Sequence, residues 1–456
     1  MAKKTTGHMK SFQETNRPTL EIAASFLAIL SSAAAWNLKY FGLGCFLYVG
    51  AMFIVLLSDS WKHRELSYRT VLLFPFTLYA FTPIAHIGLE GNIFLLSESI
   101  ALYFLVGSWI TLVILYWTLP TQEFLINRIK STSVEYSNDR SPFSVLALIC
   151  CIMFGAYLYT SILGSSGMSR GERISGQGFV QTASELGFIS LNLLLFCQAI
   201  GNRSSRWIFP FVLAVAYFCV EIFYFGDRRT AFSLLLAFVV AAQCAGRLNL
   251  KTWQVLTPLS FLPVVLVFGV LRAYPLSDWV YLITSGKVFD TLSLMNSELG
   301  ASSVIANTVG LTEGVFSWHP SYHLIPLQLV PTSFVPRDDW LWSPSQRYAY
   351  QYEYKLFASG GAVGYNILLE SMQNFSVFGP AILAITLSRT FVWIASMKYQ
   401  NKLFLLGVYT YATVFVYRSD LNGWVQTFVY IGVIGLVISA FIAIFFNNRQ
   451  LERALL

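Results

Sequence analysis

The chain has 456 residues, of which 55% are hydrophobic and only 12% charged, with a formal net charge of +7. A soluble domain carries about twice that charged fraction, so the composition excludes one and points to an all-α polytopic membrane protein. The positive balance is absorbed by the placement of bases on connecting segments, so no nucleic-acid partner follows from it.

In chain order, twelve apolar segments are long enough to cross ~30 Å of hydrocarbon as helices. They are expected near residues 19–36, 41–57, 70–86, 99–119, 143–163, 184–201, 207–225, 230–246, 254–271, 374–395, 402–417 and 424–446. A β-barrel is disfavoured, because the runs lack the in–out alternation of a lipid-facing strand. The chain then divides into a tail at 1–18, nine spans over 19–271, a large loop at 272–373, three spans over 374–446, and a second tail at 447–456. Residues 1–8 read as an expression scar, and the opening has no apolar core of a cleavable signal peptide. No internal repeat is found, which disfavours the repeat-built transporter folds.

Eighteen of the 30 Lys and Arg residues fall on segments that share one face if the N-terminus is cytoplasmic; eleven fall opposite, and Arg389 lies inside a helix. Bases mark the cytoplasmic side, so both termini are expected there and the 272–373 loop outside. The six cysteines, at 45, 150, 151, 197, 219 and 244, all lie in apolar segments without metal-ligand spacing, so neither a disulfide framework nor a metal site is expected.

This topology leaves Arg228 and Arg229, in FYFGDRRTAF, on the outer side in a turn where bases are disfavoured. One reading is charge neutralisation by Asp227 and by Glu221, seven residues before Arg228 and on the same helical face. The other is an anion site, with two guanidinium forks beside the backbone N–H groups of a helix start. Arg170 and Arg173 in SRGERISGQG, Arg337 in VPRDDW and Arg418 in YRSDLNGW fall on the same side. Together they suit a strongly anionic group at membrane level, such as a lipid diphosphate.

The large loop carries Trp318, Tyr322, Trp340 and Trp342, then RYAYQYEYK with Tyr348, Tyr350, Tyr352 and Tyr354 two residues apart. In an extended segment that spacing sets four rings on one face, suited either to stacking on sugars or to an interfacial aromatic belt. His319 and His323, in WHPSYH, have the natural pKa of a general base. Their spacing also fits two zinc ligands on a helix, but Pro320 intervenes and no third ligand is evident, so no metal and no cofactor are expected. Asp338 and Asp339 stand beside Arg337 as an ion pair.

In their order, these features resemble the oligosaccharide repeat-unit polymerases, the Wzy-type O-antigen and enterobacterial common antigen polymerases. The elements are Gly226-Asp227-Arg228-Arg229 at a helix start; Val335-Pro336-Arg337-Asp338-Asp339-Trp340 in the large loop; GGAVG at 360–364 leading to Glu370 and Asn374-Phe375; and Arg418 before the last helix. The resemblance spans roughly residues 150–430. The chain departs from the usual pattern at WLWSPSQR and in its extra Asp227.

The resemblance implies a GT-C-like polymerase/ligase architecture in the bacterial inner membrane, with the active site facing the periplasm. It implies that a growing glycan leaves its undecaprenyl diphosphate for the non-reducing end of a second lipid-linked unit. The six arginines would bind the lipid diphosphate. Glu370, His319 and His323 are the candidate bases, Glu370 equally a partner for arginine, and Tyr348, Tyr350, Tyr352 and Trp340 would contact glycan. A chain-length regulator and a flippase are implied as neighbours. An O-antigen ligase, a transporter or flippase of lipid-linked sugars, and a scaffold without chemistry remain alternatives.

Overall fold

The computed structural model describes residues 17–36, 43–44, 47–48, 50–52, 54–57, 65–77, 98–130, 140–163, 179–221, 229–251, 276–287, 318, 320–330, 341–352, 354, 365–397, 401–416 and 420–455. The expected span at 254–271 lies outside them. Fourteen helices are followed here: α1 (Arg17–Trp36), α2 (Glu98–Thr118), α3 (Gln122–Lys130), α4 (Arg140–Leu163), α5 (Phe179–Gly201), α6 (Ile208–Val220), α7 (Arg229–Cys244), α8 (Leu276–Thr284), α9 (Ile325–Gln328), α10 (Pro344–Tyr352), α11 (Ile367–Phe375), α12 (Gly379–Ser396), α13 (Lys402–Val416) and α14 (Leu421–Leu455). Residues 68–77 are also helical. The strands β1 (Glu65–Leu66) and β2 (Leu250–Lys251) pair antiparallel, Glu65 opposite Lys251.

By length and apolarity, four described stretches can cross a membrane: Phe143–Ser161, Val180–Gly201, Ile367–Ser396 and Leu421–Phe441. A fifth is added if α2 and α3, bent by 46° at their junction, form one span. The chain is therefore a helical membrane protein. Four further apolar helices, Ala23–Ala34, Ser205–Val220, Thr230–Cys244 and Lys402–Val414, are shorter.

At the centre, α5 is packed on all sides, with Phe188, Leu191 and Leu193 to Leu195 fully buried. Close approach there depends on small residues. A side chain at Gly407 of α13 would meet Leu193, and one at Gly435 of α14 would meet Phe404 and Ser190. Ser190 Oγ also donates to the Ile431 carbonyl at 2.8 Å, a bond between helices that satisfies a polar group where no water is available.

Among the described residues, several of the basic connecting segments touch one another. Arg69 is buried and donates to the carbonyls of Pro120 at 3.0 Å and Leu119 at 2.5 Å. It thereby satisfies carbonyls beyond the C-terminal end of α2, where positive charge is favoured. Lys402 Nζ donates to the Arg128 carbonyl, Arg247 Nε to the Ile200 carbonyl at 3.3 Å, and β1 pairs β2 between two more of these segments.

Two expectations need correction. The helix expected at 374–395 begins at Gly379, and a separate helix, α11, occupies the end of the stretch assigned to the large loop. α11 ends at Ser376, whose φ of 55° breaks the helix, and α12 begins at Gly379. A Cβ on Gly379 would collide with the Ser371 carbonyl oxygen, so the elbow closes only around glycine. Second, the tyrosine run is helical. Ser343 and Gln346 form a reciprocal capping box, Gln346 Oε1 accepting from the Ser343 N–H at 3.0 Å and Ser343 Oγ from the Gln346 N–H at 3.4 Å, with Pro344 at the first helical position. Rings two apart therefore diverge, and those four apart meet. Tyr348 lies 4.8 Å from Tyr352, and Tyr350 5.7 Å from Tyr354.

Glu221, one of the two acids read from sequence as able to neutralise Arg228 and Arg229, has a tyrosine partner. It is 3% exposed and accepts a hydrogen bond from the Tyr157 hydroxyl, while Glu185 accepts from the Tyr217 hydroxyl at 2.5 Å. Among the described residues these carboxylates are held by tyrosines across α4, α5 and α6, so neutralisation of arginine is not their sole contact. The described cysteines, 150, 151, 197, 219 and 244, are all free.

Candidate functional site: a carboxylate junction under the large loop

The site is built on α11. Asn366 caps it, its Oδ1 accepting from the N–H groups of Leu368 at 2.9 Å and Leu369 at 3.4 Å, the preferred chemistry for the first turn's orphan donors. Every residue from Ile367 to Asn374 is buried. Glu370, at the end of the first turn, is 1% exposed. Its Oε1 accepts from Ser321 Oγ at 2.9 Å and its Oε2 from the Leu421 N–H at 2.6 Å. One carboxylate thus joins the large loop to the first residue of the last helix.

Asn374 lies one turn further along the same face. Its Oδ1 accepts from the N–H groups of Ser321 at 2.8 Å and Tyr322 at 3.1 Å, and its Nδ2 donates to Ser321 Oγ at 3.0 Å and the Glu370 carbonyl at 2.9 Å. All four of its bonding capacities are used. The loop segment is also fastened to α14: Gln426 Nε2 donates to the Gln328 carbonyl at 2.7 Å, and the Tyr430 hydroxyl to the Leu329 carbonyl at 2.8 Å.

Asp420 completes the junction. It caps α14, Oδ1 accepting from the Gly423 N–H at 2.9 Å, while Oδ2 accepts from Ser345 Oγ of α10 at 2.7 Å. Two carboxylates therefore meet the N-terminus of α14, where the helix dipole favours negative charge. Neither is paired with a base among the described residues. The Tyr322 hydroxyl and Asn422 Oδ1 are buried there without a partner. Burial, and then the charges of Glu370 and Asp420, hold the Tyr322 phenol well above its usual range.

Of the residues singled out from sequence, Glu370 sits at the centre. His323 is exposed on the turn that follows Tyr322, and Trp318 is 75% exposed. Tyr348 is buried against Tyr352, and Tyr350 and Tyr352 are exposed. Arg229 opens α7, but its side chain lies outside the described residues, as do Arg170, Arg173, Arg228, Arg337, Arg418, His319 and Trp340. Among the described residues, no three of His, Cys, Asp and Glu cluster as metal ligands. Sequence reasoning passed over Asp420, Ser321 and Ser345. Asp420 carried a local signal, an Asp directly before the apolar run of the last helix; the two serines carried none.

No family model matches the chain, and no curated protein or solved structure matches it.

Proposed function

We propose that the chain is a membrane glycosyltransferase that polymerises undecaprenyl-diphosphate-linked oligosaccharide repeat units at the periplasmic face of the bacterial inner membrane. One observation carries the reading. Two segments that the resemblance singles out separately, the Glu370–Asn374 helix and the YRSDLNGW turn, meet in one hydrogen-bonded junction with the WHPSYH segment, which the residues alone single out, through Ser321, Glu370 and Leu421. The tyrosine helix joins it through Ser345 and Asp420. Residues 49 and 51 positions apart in sequence are brought together at the end of the bundle away from the basic segments.

In this reading an acceptor sugar hydroxyl attacks the anomeric carbon of the growing glycan. The new C–O bond forms as the bond to the diphosphate oxygen breaks, the electron pair leaving with the lipid diphosphate and the hydroxyl proton passing to a protein base. Fixed positive charge lowers the barrier by standing where the negative charge develops. That role falls to Arg228 and Arg229, with Arg170, Arg173, Arg337 and Arg418 as further phosphate ligands. Glu370, His319 and His323 are the base candidates. In the sequence Asp420 lies two residues after Arg418, and Tyr322 lies three after His319 and one before His323. A chain-length regulator and a flippase are the partners this activity calls for.

The test is chain growth by Arg228→Ala and Arg229→Ala variants in membranes. The reading expects wild-type protein levels with the glycan stopped at one repeat. Full-length glycan from both variants would overturn it.

A further inference from the structure

Helices α5 and α7 run side by side. Phe196 stacks on Phe238 at 3.9 Å, and at their C-terminal ends Arg247 Nε donates to the Ile200 carbonyl at 3.3 Å. Both ends close in the same way. The Arg203 N–H bonds the Ile200 carbonyl at 3.3 Å and the Ser204 N–H the Ala199 carbonyl at 3.0 Å; in α7 the Gly246 N–H bonds the Gln243 carbonyl at 3.0 Å and the Arg247 N–H the Ala242 carbonyl at 2.9 Å. This closure puts one residue in the left-handed region. α7 places glycine there, Gly246 at φ 66°, whereas α5 places Arg203 at φ 55°. A side chain in that conformation costs free energy that glycine escapes, so a guanidinium is kept at this point against the backbone's preference. The Ile200 oxygen gathers Arg203 and Arg247 at one helix end, and both side chains are exposed. Desolvation, and then the charge of Arg203, lower the Arg247 guanidinium from its usual range. An anion between the two relieves their repulsion. Arg206 stands beside them, its N–H on Ser204 Oγ at 3.2 Å and its guanidinium over the Phe143 ring at 5.5 Å.

What adjoins the arginines selects the anion. From Arg203 the chain leads directly into α6, where Trp207, Ile208, Phe211, Val212 and Val215 are exposed along one stripe while Pro210, Ala214 and Tyr217 are buried on the other side. In a helical membrane protein such a stripe meets acyl chains, and Trp207 at its end takes the headgroup-level position that amphipathic rings favour. Charge for a phosphate and surface for a hydrocarbon chain are therefore contiguous, and a soluble anion would use only the first. We infer that Arg203 and Arg247 hold the phosphate of an anionic glycerophospholipid, with Arg206 beside it and an acyl chain along the exposed stripe of α6. Guanidinium forks match phosphate oxygens, and basic pockets between membrane helices suit acidic headgroups. This lipid site stands whether or not the bundle polymerises glycan.

The test uses the full-length protein, stripped of lipid in detergent. It is titrated with phosphatidylglycerol or with phosphatidylcholine, native mass spectrometry counts the bound lipid, and inorganic phosphate is added as competitor. Wild-type protein retains phosphatidylglycerol over phosphatidylcholine, and inorganic phosphate does not displace it. Arg203→Gly, which suits the left-handed backbone, and Arg247→Gln each weaken phosphatidylglycerol binding about fivefold, the share of one arginine near a headgroup. Lipid-free Arg203→Gly unfolds at or above the wild-type temperature, because the strained side chain is gone. Four results would overturn the inference: phosphatidylglycerol binding unchanged in both variants; equal retention of the two lipids, which marks bulk lipid around the bundle; displacement by inorganic phosphate, which marks a site for a free anion; or a lowered unfolding temperature of lipid-free Arg203→Gly, which marks an arginine kept for the fold.

Discussion

Replacing Glu370 separates the structural work of its carboxylate from any chemical work. Glu370→Ala removes two charge-assisted hydrogen bonds, from Ser321 Oγ and from the Leu421 N–H, each worth about 1.5–3 kcal/mol. Ser321 keeps its bond from Asn374 Nδ2, but the buried Leu421 N–H is orphaned. Removing the charge beside Asp420 offsets part of the loss, which places the net cost near the lower end, about 3 kcal/mol. Glu370→Gln behaves differently. Its carbonyl oxygen still accepts from Leu421, its amide donates to Ser321, and the cost falls to about 1 kcal/mol. Thermal unfolding in detergent, followed by tryptophan fluorescence, reads both. The expected order is wild type, then Gln slightly lower, then Ala lower by several degrees. Equal stability of Ala and wild type would refute the tie, and equal loss in Gln and Ala would show that charge rather than geometry holds it. Chain growth by the Gln variant then assigns the base: abolished if Glu370 takes the proton, retained if a histidine does.

Gly379→Ala drives a Cβ into the Ser371 carbonyl and is expected to cost several kcal/mol more than Gly155→Ala, which, with nothing within 4 Å, is neutral or stabilising by up to about 1 kcal/mol; unfolding temperatures of the pair check this. Arg228→Lys keeps the charge but loses the two-pronged donor, so a bidentate phosphate contact predicts a loss of chain growth of about a hundredfold, on the order of that seen when one oriented donor is removed. Ser343→Ala breaks half of the capping box of α10 and lowers stability by about 1 kcal/mol without affecting pyrophosphate binding, as measured by unfolding and titration.

Much of the helical scaffold was legible because apolar run length sets helix length. The expected spans at 99–119, 230–246 and 402–417 match α2, α7 and α13 to within two residues at each end. The elbow between α11 and α12 was not, since apolar residues on both sides hide a break made by one backbone angle at Ser376 and one close contact at Gly379. The tyrosine run misled for a different reason. Alternation by two suggested a strand, while Ser343-Pro344-Ser345-Gln346 carried a stronger local signal for a helix start. At the site, Glu370 was singled out through the family resemblance, at the entry to an expected helix. Its partners were not, because nothing near Glu370 in sequence points to Ser321 or Leu421; only tertiary packing joins them.

The most direct test of the account is in vitro. Purified protein is incubated without added metal with a diphosphate-linked repeat unit from its own host, and the products are separated by size. A ladder at multiples of the repeat is the predicted result. Transfer only after lipid A core is added would make the protein a ligase, and no transfer with the native substrate confirmed would contradict the account and favour transport of lipid-linked sugars.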